Sequence, residues 1–196
     1  MFDPLDVAAV THVATSPGAG GTTILLQHSR VVLQAGGRVL WLARALPDGD
    51  RMAKMFGDIQ PAAIARFHAG AFGQQLHRGL ESAHGMIDSL ATMSLVIVDD
   101  WAERSGRTST ISKAAIADLI ERCGTKGIPI MVSSSMYGDA SGRGEWRIRG
   151  EETMASAGAE IWLLTRGEGG RRILNRRGMT TLLTLTDQGF SDESIL

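Results

Sequence analysis

Short apolar runs alternate with segments of helical periodicity along most of the chain. The runs that predict strands lie at 11–15, 38–43, 94–98 and 128–132. The segments that predict helices lie at 22–35, 73–92 and 112–123. The run Ser94-Leu95-Val96-Ile97-Val98 is uninterrupted, which is typical of a parallel strand covered on both faces. The alternation therefore predicts a mainly parallel sheet with helices on both faces.

The remaining segments extend this sheet at its two ends. Residues 51–72 predict a short helix and a short edge strand near Ala65-Arg66-Phe67. Residues 159–164 and 180–185 predict two late strands, and the turn at 166–171 has hairpin character. We therefore expect an α/β fold whose parallel, twisted sheet carries an antiparallel C-terminal extension. The simplest organisation is a single domain over residues 1–196.

Composition and charge narrow the function classes only slightly. Of the 196 residues, 43% are hydrophobic and 21% are charged, which suits a folded globular domain, and the formal net charge is -1. A nucleic-acid or membrane role would therefore have to rest on local patches. The single cysteine, Cys123, excludes an internal disulfide. No signal peptide is recognisable, and no apolar stretch reaches the ~20 residues of a membrane span, so we expect a cytoplasmic protein with no membrane partner.

The turn between the first strand and the first helix carries candidate chemistry. Its sequence, Ser16-Pro17-Gly18-Ala19-Gly20-Gly21-Thr22-Thr23, resembles the phosphate-binding motif G-x-x-x-x-G-K-[ST]. A Gly-rich turn at this place directs backbone N–H groups and the positive end of a helix at an anion. In this alignment Gly21 is the final glycine and Ser16 replaces the first. Thr22 stands where the lysine belongs, and Thr23 supplies the Mg²⁺-ligating hydroxyl. The candidate phosphate-binding residues are Ser16, Gly18, Ala19, Gly20, Gly21, Thr22 and Thr23.

A second motif strengthens this interpretation. Four apolar residues, Leu95 to Val98, are followed by Asp99. A carboxylate at such a strand end holds Mg²⁺ in P-loop proteins. Each motif alone has an ordinary alternative, because Gly-rich turns and strands that end in Asp are both common. Together they favour a P-loop fold, with Thr23 and Asp99 as the candidate metal ligands.

From about residue 11 to residue 190 the chain resembles the core domain of RecA-family recombinases, and within that family the short RadB type. Besides the two motifs, residues 150–164 resemble the segment that leads from the second DNA loop into a strand. Residues 178–190 resemble the closing strand of the family. The resemblance implies a RecA-like fold without a separate N-terminal helical domain, and ATP or ADP with Mg²⁺ as the cofactor. KaiC-like proteins share much of this outline and are the next closest family.

Three positions depart from the family pattern. Thr22 carries no charge where the lysine should neutralise phosphate, and Ala45 stands near the expected water-orienting Glu. The strand at 128–132 runs into Ser133-Ser134-Ser135 instead of a polar sensor such as Gln. Losing such groups lowers phosphoryl-transfer rates by several powers of ten. We therefore hypothesise a pseudo-ATPase that binds ATP or ADP with Mg²⁺ weakly. The alternative is an active ATPase in which an arginine, for example Arg44, replaces the lysine.

Two polar segments match the positions of the family's DNA loops. Residues 137–150 correspond to the second loop, and 101–107 to the first. Arginine contacts phosphates and tryptophan stacks on bases, which together bind single strands. The candidate DNA-binding residues are Arg143, Trp146, Arg147 and Arg149. A solvated loop with a partly buried Trp146 is an equal alternative, because acidic residues nearby dilute the positive field.

A second arginine cluster falls on the predicted C-terminal hairpin. Its members are Arg166, Arg171, Arg172, Arg176 and Arg177. Either these side chains bind DNA, an acidic partner or nucleotide on a neighbouring subunit, or they form an ordinary charged solvent face.

The leading hypothesis is a recombinase paralogue that binds single-stranded DNA or a catalytic recombinase and turns over little ATP. One rival is an active ATPase with an unusual P-loop. The other is a KaiC-like regulatory or scaffold protein without DNA binding. The sequence leaves open whether the chain forms a homo-oligomer.

Overall fold

The computed structural model describes residues 6–138 and 146–192, and these residues form ten strands and six helices. The strands are β1 (Val10–Thr15), β2 (Arg38–Ala43), β3 (Phe67–Ala71), β4 (Met93–Asp99), β5 (Ile130–Gly138), β6 (Trp146–Ile148), β7 (Glu160–Arg166), β8 (Arg172–Arg176), β9 (Met179–Thr186) and β10 (Gly189–Asp192). The helices are α1 (Gly21–Gln34), α2 (Gly49–Phe56), α3 (Pro61–Ile64), α4 (Leu76–Ser89), α5 (Thr110–Thr125) and α6 (Glu151–Ser156).

The described strands form one sheet in the order β10-β9-β8-β7-β1-β5-β4-β2-β3, with β6 paired to β5. Within this order, the strands β7, β1, β5, β4, β2 and β3 run parallel to one another. The strands β7 to β10 form an antiparallel meander. The predicted α/β sheet with an antiparallel C-terminal extension is therefore confirmed, and β3 is the predicted edge strand.

Alternate residues of the central strands pack into two cores, one on each face of the sheet. Val39 and Trp41 of β2 belong to the core that includes residues of α1 and α2. Leu40 and Leu42 belong to the core that includes residues of α4 and α5. The same alternation holds along β4, which explains its uninterrupted apolar run. Each large side chain buried in this way stabilises the fold by about 1.5–3 kcal/mol.

Three strands lie where the sequence predicts none, namely β6, β8 and β10. In β8 the alternation is hidden because Arg172 and Arg176 occupy buried positions on either side of Leu174. The strands β6 and β10 contain only three and four residues, too few for a periodic pattern. The turn at 166–171 does lead into a hairpin, β7–β8.

The parallel arrangement fixes where the chemistry lies. The carboxyl ends of β1, β4 and β5 meet at one edge of the sheet, since β5 lies between the other two and is parallel to both. Ligands of open α/β sheets bind at this edge. Within 6–138 and 146–192, no helix is both long and apolar enough to cross a bilayer.

Candidate functional site

The phosphate loop, residues 15–23, joins β1 to α1 at the carboxyl edge of the sheet. Gly18 and Gly20 have φ angles of 69° and 102°, a region that glycine enters without steric cost. The loop closes on itself through a hydrogen bond of 3.0 Å from Ala19 N–H to the Ser16 carbonyl. The first N–H groups of a helix have no intrahelical acceptor. Two residues that carry them here, Gly21 and Thr22, line the cavity in front of the loop. Helix N-termini with this arrangement bind anions in other proteins.

This cavity has a volume of about 450 Å³, within the range of small-molecule sites. Its walls beyond the phosphate loop come from three other segments. These are the end of β4 with Asp99 and Asp100, the serines 133–135 of β5, and Arg104. Arg104 is exposed and donates to Asp100 Oδ2 at 2.6 Å. The cavity therefore has an acidic end near β4 and a backbone-amide end at the phosphate loop.

Asp99 is buried in the wall of the cavity and accepts hydrogen bonds from two hydroxyl groups. Thr22 Oγ1 donates to its Oδ2 at 2.9 Å, and Ser133 Oγ donates to its Oδ1 at 2.6 Å. Burial raises the pKa of the Asp99 carboxyl above its usual range, although the bonds from Ser133 and Thr22 oppose that effect. A poorly solvated carboxylate beside a threonine hydroxyl has the oxygen donors that Mg²⁺ prefers.

The hydrogen bonding of Asp99 favours a register of the phosphate-binding motif one residue earlier than the one expected from the sequence. The motif's hydroxyl residue is the one that shares Mg²⁺ with the strand-end Asp, and Thr22 rather than Thr23 is bonded to Asp99. Counting back from Thr22, Gly21 holds the lysine position, Gly20 is the final glycine, and Thr15 replaces the first glycine. Because two glycines precede two threonines, the sequence alone allowed either register.

The lysine position is also blocked by a neighbouring side chain. A Cβ atom built on Gly21 would lie 2.7 Å from Thr15 Cγ2 and 3.3 Å from Thr15 Oγ1. Real Cβ atoms essentially never approach a neighbour so closely, so a side chain at this position requires Thr15 to move. The two departures from the motif, Thr15 and Gly21, therefore belong to one packing arrangement.

The other two departures, Ala45 and Ser135, line cavities that Asp99 also lines. Ala45 lies in a second cavity of about 290 Å³ beside Thr22 and Asp99. The next carboxylate along the chain, Asp48, accepts a bond of 2.9 Å from Arg51 N–H and so caps α2. Ser135 lines the phosphate cavity. Ala45 therefore supplies no carboxylate, and Ser135 supplies no amide, where the family pattern requires them.

Arg44 is held away from the phosphate loop. Its Nε donates to the Asp100 carbonyl and its Nη2 to the Trp101 carbonyl, both at 3.2 Å. Its side chain is mostly buried and lies 4.0 Å from Glu103. These contacts argue against Arg44 as the replacement for the lysine, and among the described arginines Arg104 lines the phosphate cavity instead.

The phosphate loop is supported from behind by the C-terminal meander. Arg172 of β8 donates from Nε to the Ala19 carbonyl at 3.0 Å and from Nη2 to the Gly18 carbonyl at 3.4 Å. The ring of Phe190 lies 2.8 Å from where a Cβ on Gly20 would be, so only glycine fits there. The loop's conformation therefore depends on strands that follow it by more than a hundred residues.

The second arginine cluster is largely structural. Arg172 and Arg176 are buried, Arg176 lies over the Trp162 ring at 5.1 Å, and Arg177 is paired with Asp6 and Glu160. Both alternatives drawn from the sequence assumed exposed side chains. For the two buried arginines that assumption is wrong, because they lie on the inward face of β8.

The segment expected to bind DNA forms a β-hairpin. Strand β6 pairs antiparallel with the end of β5, so that Tyr137 lies opposite Arg147 and Gly138 opposite Trp146. Tyr137 and Trp146 are 45% and 47% exposed, so two aromatic rings are available to stack on bases. About half of Trp146 is buried, so the alternative of a solvated loop with a partly buried tryptophan fits this exposure as well. Arg143 lies outside the described residues.

A groove of about 550 Å³, which we call the basic groove, runs between this hairpin and the segment that follows β4. Its cationic residues are Arg107, Lys113, Arg147 and Arg149. The Arg149 guanidinium lies 4.7 Å from the centre of the Tyr137 ring and donates to the Gly106 carbonyl at 3.0 Å. Glu151 and Glu152 also line the groove. The two segments expected from the sequence are thus brought together at one surface.

One hydrogen-bonded chain joins the phosphate cavity to the basic groove. Ser134 lines the cavity, and its Oγ donates to the Arg149 carbonyl at 3.0 Å. The same Oγ lies 2.8 Å from Nε2 of buried His12, which must donate because the serine proton is already used. Burial lowers the pKa of His12 to about 3.

The sequence did not predict the contacts that four residues make at these sites: Thr15, Arg104, Tyr137 and Arg172. Tyr137 could have been found, since it begins the Gly- and Arg-rich segment. The roles of the other three depend on contacts between distant parts of the chain.

No family model matches the chain, and no curated protein matches it by sequence. The crystal structure of the RadB recombinase is similar to it, with 19% sequence identity and a TM-score of 0.76. The similarity covers 95% of this chain and 91% of that one. The fold is therefore RecA-like, as the sequence resemblance implied.

Proposed function

We propose that this chain is a RecA-like recombinase paralogue that binds nucleotide weakly and single-stranded DNA in the basic groove, and hydrolyses ATP poorly or not at all. It would act as an accessory protein in DNA recombination or repair, together with a catalytic recombinase. The protein with the similar fold is a recombinase by name, which supports this class.

Nucleotide binding is supported by the phosphate loop and its surroundings. The amide end of the 450 Å³ cavity suits the phosphates of ATP or ADP. We propose Thr22 and Asp99 as the Mg²⁺ ligands, in place of the Thr23–Asp99 pair expected from the sequence, because of their hydrogen bond. The phosphate-binding residues would then be Ser16 and the residues from Gly18 to Thr22.

Poor hydrolysis is supported by what stands at the catalytic positions. Gly21 offers no cation inside the cavity, and Thr15 fills the space where a lysine stem would begin. Ala45 offers no carboxylate to orient water. Each missing group weakens stabilisation of the transferring phosphoryl group, whereas the backbone amides that bind its ground state remain.

The basic groove is the single observation that carries the DNA-binding proposal. It combines four cationic side chains with the exposed ring of Tyr137, and the exposed Trp146 precedes Arg147 on strand β6. Cationic side chains with aromatic rings are the combination that binds single strands without sequence preference. Because the overall charge is -1, DNA binding would have to rest on a local concentration of cations such as this one.

The test is a titration of a fluorescently labelled single strand at low and moderate salt. The Arg147→Ala/Arg149→Ala variant should bind roughly ten- to a hundredfold more weakly, and its salt slope should fall by about 0.7 for each DNA phosphate that the variant no longer neutralises. Arg122→Ala is the matched control, because Arg122 lies on α5 about 13 Å along the helix from Lys113. The control should bind like the unmodified protein.

Two outcomes would favour the rival functions. A protein that does not bind single strands at low salt would support a KaiC-like regulator or scaffold. Phosphate release at the rate of an active recombinase, abolished by Asp99→Ala and by Arg104→Ala, would support an active ATPase. Arg104 is the residue to test because it lies at the phosphate cavity.

A further inference from the structure

Arg172 differs from the other buried arginine of β8 in the partners of its guanidinium group. It is 9% exposed, and its hydrogen bonds end at four backbone carbonyl oxygens, those of Gly18, Ala19, Gly170 and Arg171. Arg176, further along the same face of the strand, forms an ion pair of 3.5 Å with Asp6. Among the described residues, no carboxylate pairs with Arg172. Its charge is therefore balanced only by dipoles.

A buried cation without a carboxylate is costly unless an anion lies within reach. Two of these carbonyls, those of Gly18 and Ala19, belong to the phosphate loop, and both residues also line the cavity. A bound phosphate would thus lie on the far side of one peptide layer from the guanidinium. The positive charge reaches the cavity through this thin layer of backbone rather than through water.

The same contacts orient the loop. In a trans peptide the C=O and N–H groups point in opposite directions. Because the Ala19 carbonyl is directed back at Arg172, the N–H of Gly20 is directed toward the cavity. Arg172 thereby turns an amide donor toward the place where a phosphate oxygen would lie.

We propose that Arg172 is the positioning residue that replaces the missing lysine, holding the phosphate loop and supplying its positive charge from behind. The ligand class is a nucleotide polyphosphate, and the inference rests on the nucleotide binding proposed above. A charge fixed behind the loop attracts bound phosphates but cannot follow a phosphoryl group as it transfers. This placement therefore favours binding over turnover.

The test compares the binding of Mg²⁺-ADP and of pyrophosphate by calorimetry in three variants. Arg172→Gln keeps a hydrogen-bond donor but removes the charge, Arg172→Lys keeps the charge, and Arg176→Gln removes the other buried arginine of β8. Arg172→Gln should weaken both ligands roughly ten- to a hundredfold, as expected for the loss of one nearby charge at an effective dielectric constant of about 20. Arg172→Lys should regain most of that loss, and Arg176→Gln should bind like the unmodified protein while melting at a lower temperature.

Equal affinity of Arg172→Gln and the unmodified protein would overturn the role of Arg172 and leave the nucleotide proposal standing. Weakening for ADP with none for pyrophosphate would also overturn it, since the contact would then be to the nucleoside. No binding of either ligand by the unmodified protein would overturn both proposals together. If Arg172→Gln does not fold, the proposal is tested by following the NMR resonance of the Gly20 amide in the unmodified protein. This resonance should shift when pyrophosphate is added, and a fixed resonance would overturn the proposal.

Discussion

The methyl group of Thr15 stands in the space that a side chain at Gly21 would need, with 2.7 Å between Thr15 Cγ2 and the position of such a Cβ. In the register that the Thr22–Asp99 bond favours, these two residues stand at the first-glycine and lysine positions of the phosphate-binding motif. A side chain thus stands where the motif has glycine, and glycine stands where it has lysine. The two departures share one packing contact.

This relationship predicts a strong coupling between the two positions. Gly21→Lys alone should lower the free energy of unfolding by about 1–3 kcal/mol, because it overpacks the loop against Thr15. In the double variant with Thr15→Gly that clash is removed, and only the cost of a glycine in β1, about 0.5–1 kcal/mol, should remain. Urea denaturation of the four proteins of the cycle measures the coupling. Purely additive effects would show that Thr15 yields easily and does not block the lysine position.

The register favoured by the bonding of Asp99 predicts that the two neighbouring threonines behave differently. Thr22→Val should weaken Mg²⁺-dependent nucleotide binding roughly ten- to a hundredfold, the effect of losing a hydrogen bond to a charged group. Thr23→Val is the matched control, since Thr23 is buried in the same turn and its hydroxyl is not bonded to Asp99. Nucleotide titrations with Mg²⁺ and with EDTA isolate the metal-dependent part. The opposite ranking would restore the register expected from the sequence.

His12 predicts an acid-sensitive fold. Burial lowers its pKa from 6.5 to about 3, so the folded protein binds fewer protons than the unfolded chain in that interval. The free energy of unfolding is therefore unaffected by the protonation of His12 above pH 6.5. As the pH falls from 6.5 toward 3, the free energy of unfolding decreases by up to about 1.4 kcal/mol per pH unit. His12→Gln retains a donor for Ser134 and should flatten this dependence. Unfolding free energies measured between pH 7 and about 4.5 test it, and identical slopes for the two proteins would contradict the assignment.

Gly150 predicts that the base of the hairpin is intolerant of any side chain. Its φ is +70°, and a Cβ there would lie 2.1 Å from Cζ2 of the buried Trp101. Gly150→Ala should cost about 1–3 kcal/mol of stability and weaken single-strand binding, because Arg149 next to it lines the basic groove. Gly138→Ala is the control on the other arm, where a Cβ meets nothing within 4 Å. Melting temperatures and DNA titrations of both variants provide the comparison, and equal behaviour would contradict the prediction.

Local pattern was sufficient for most of the fold. The uninterrupted apolar run of β4 reflects a strand buried on both faces. The helical periodicity of α1 reflects burial of one helix face, and the glycines after α1 allow the chain to turn. All three signals can be recognised within a short stretch of sequence. The order of these elements predicted the parallel sheet and its edge strand. It also placed the phosphate-binding turn and Asp99 at the ends of their strands, because parallel strands share one carboxyl edge.

The tertiary structure decided which residues of those turns meet. Thr22 and Asp99 are 77 positions apart and Arg172 and Ala19 are 153 apart, so no local pattern distinguishes Thr22 from Thr23 or Arg172 from Arg177. Sheet order and strand register determine these pairs, since a shift of one residue in β4 or β8 would turn Asp99 or Arg172 to the opposite face of the sheet. The sequence by itself therefore determined that a Gly-rich turn and Asp99 lie at the carboxyl edge of a RecA-like sheet. Only the fold decided that Thr22 rather than Thr23 contacts Asp99 and that a buried arginine stands behind the turn.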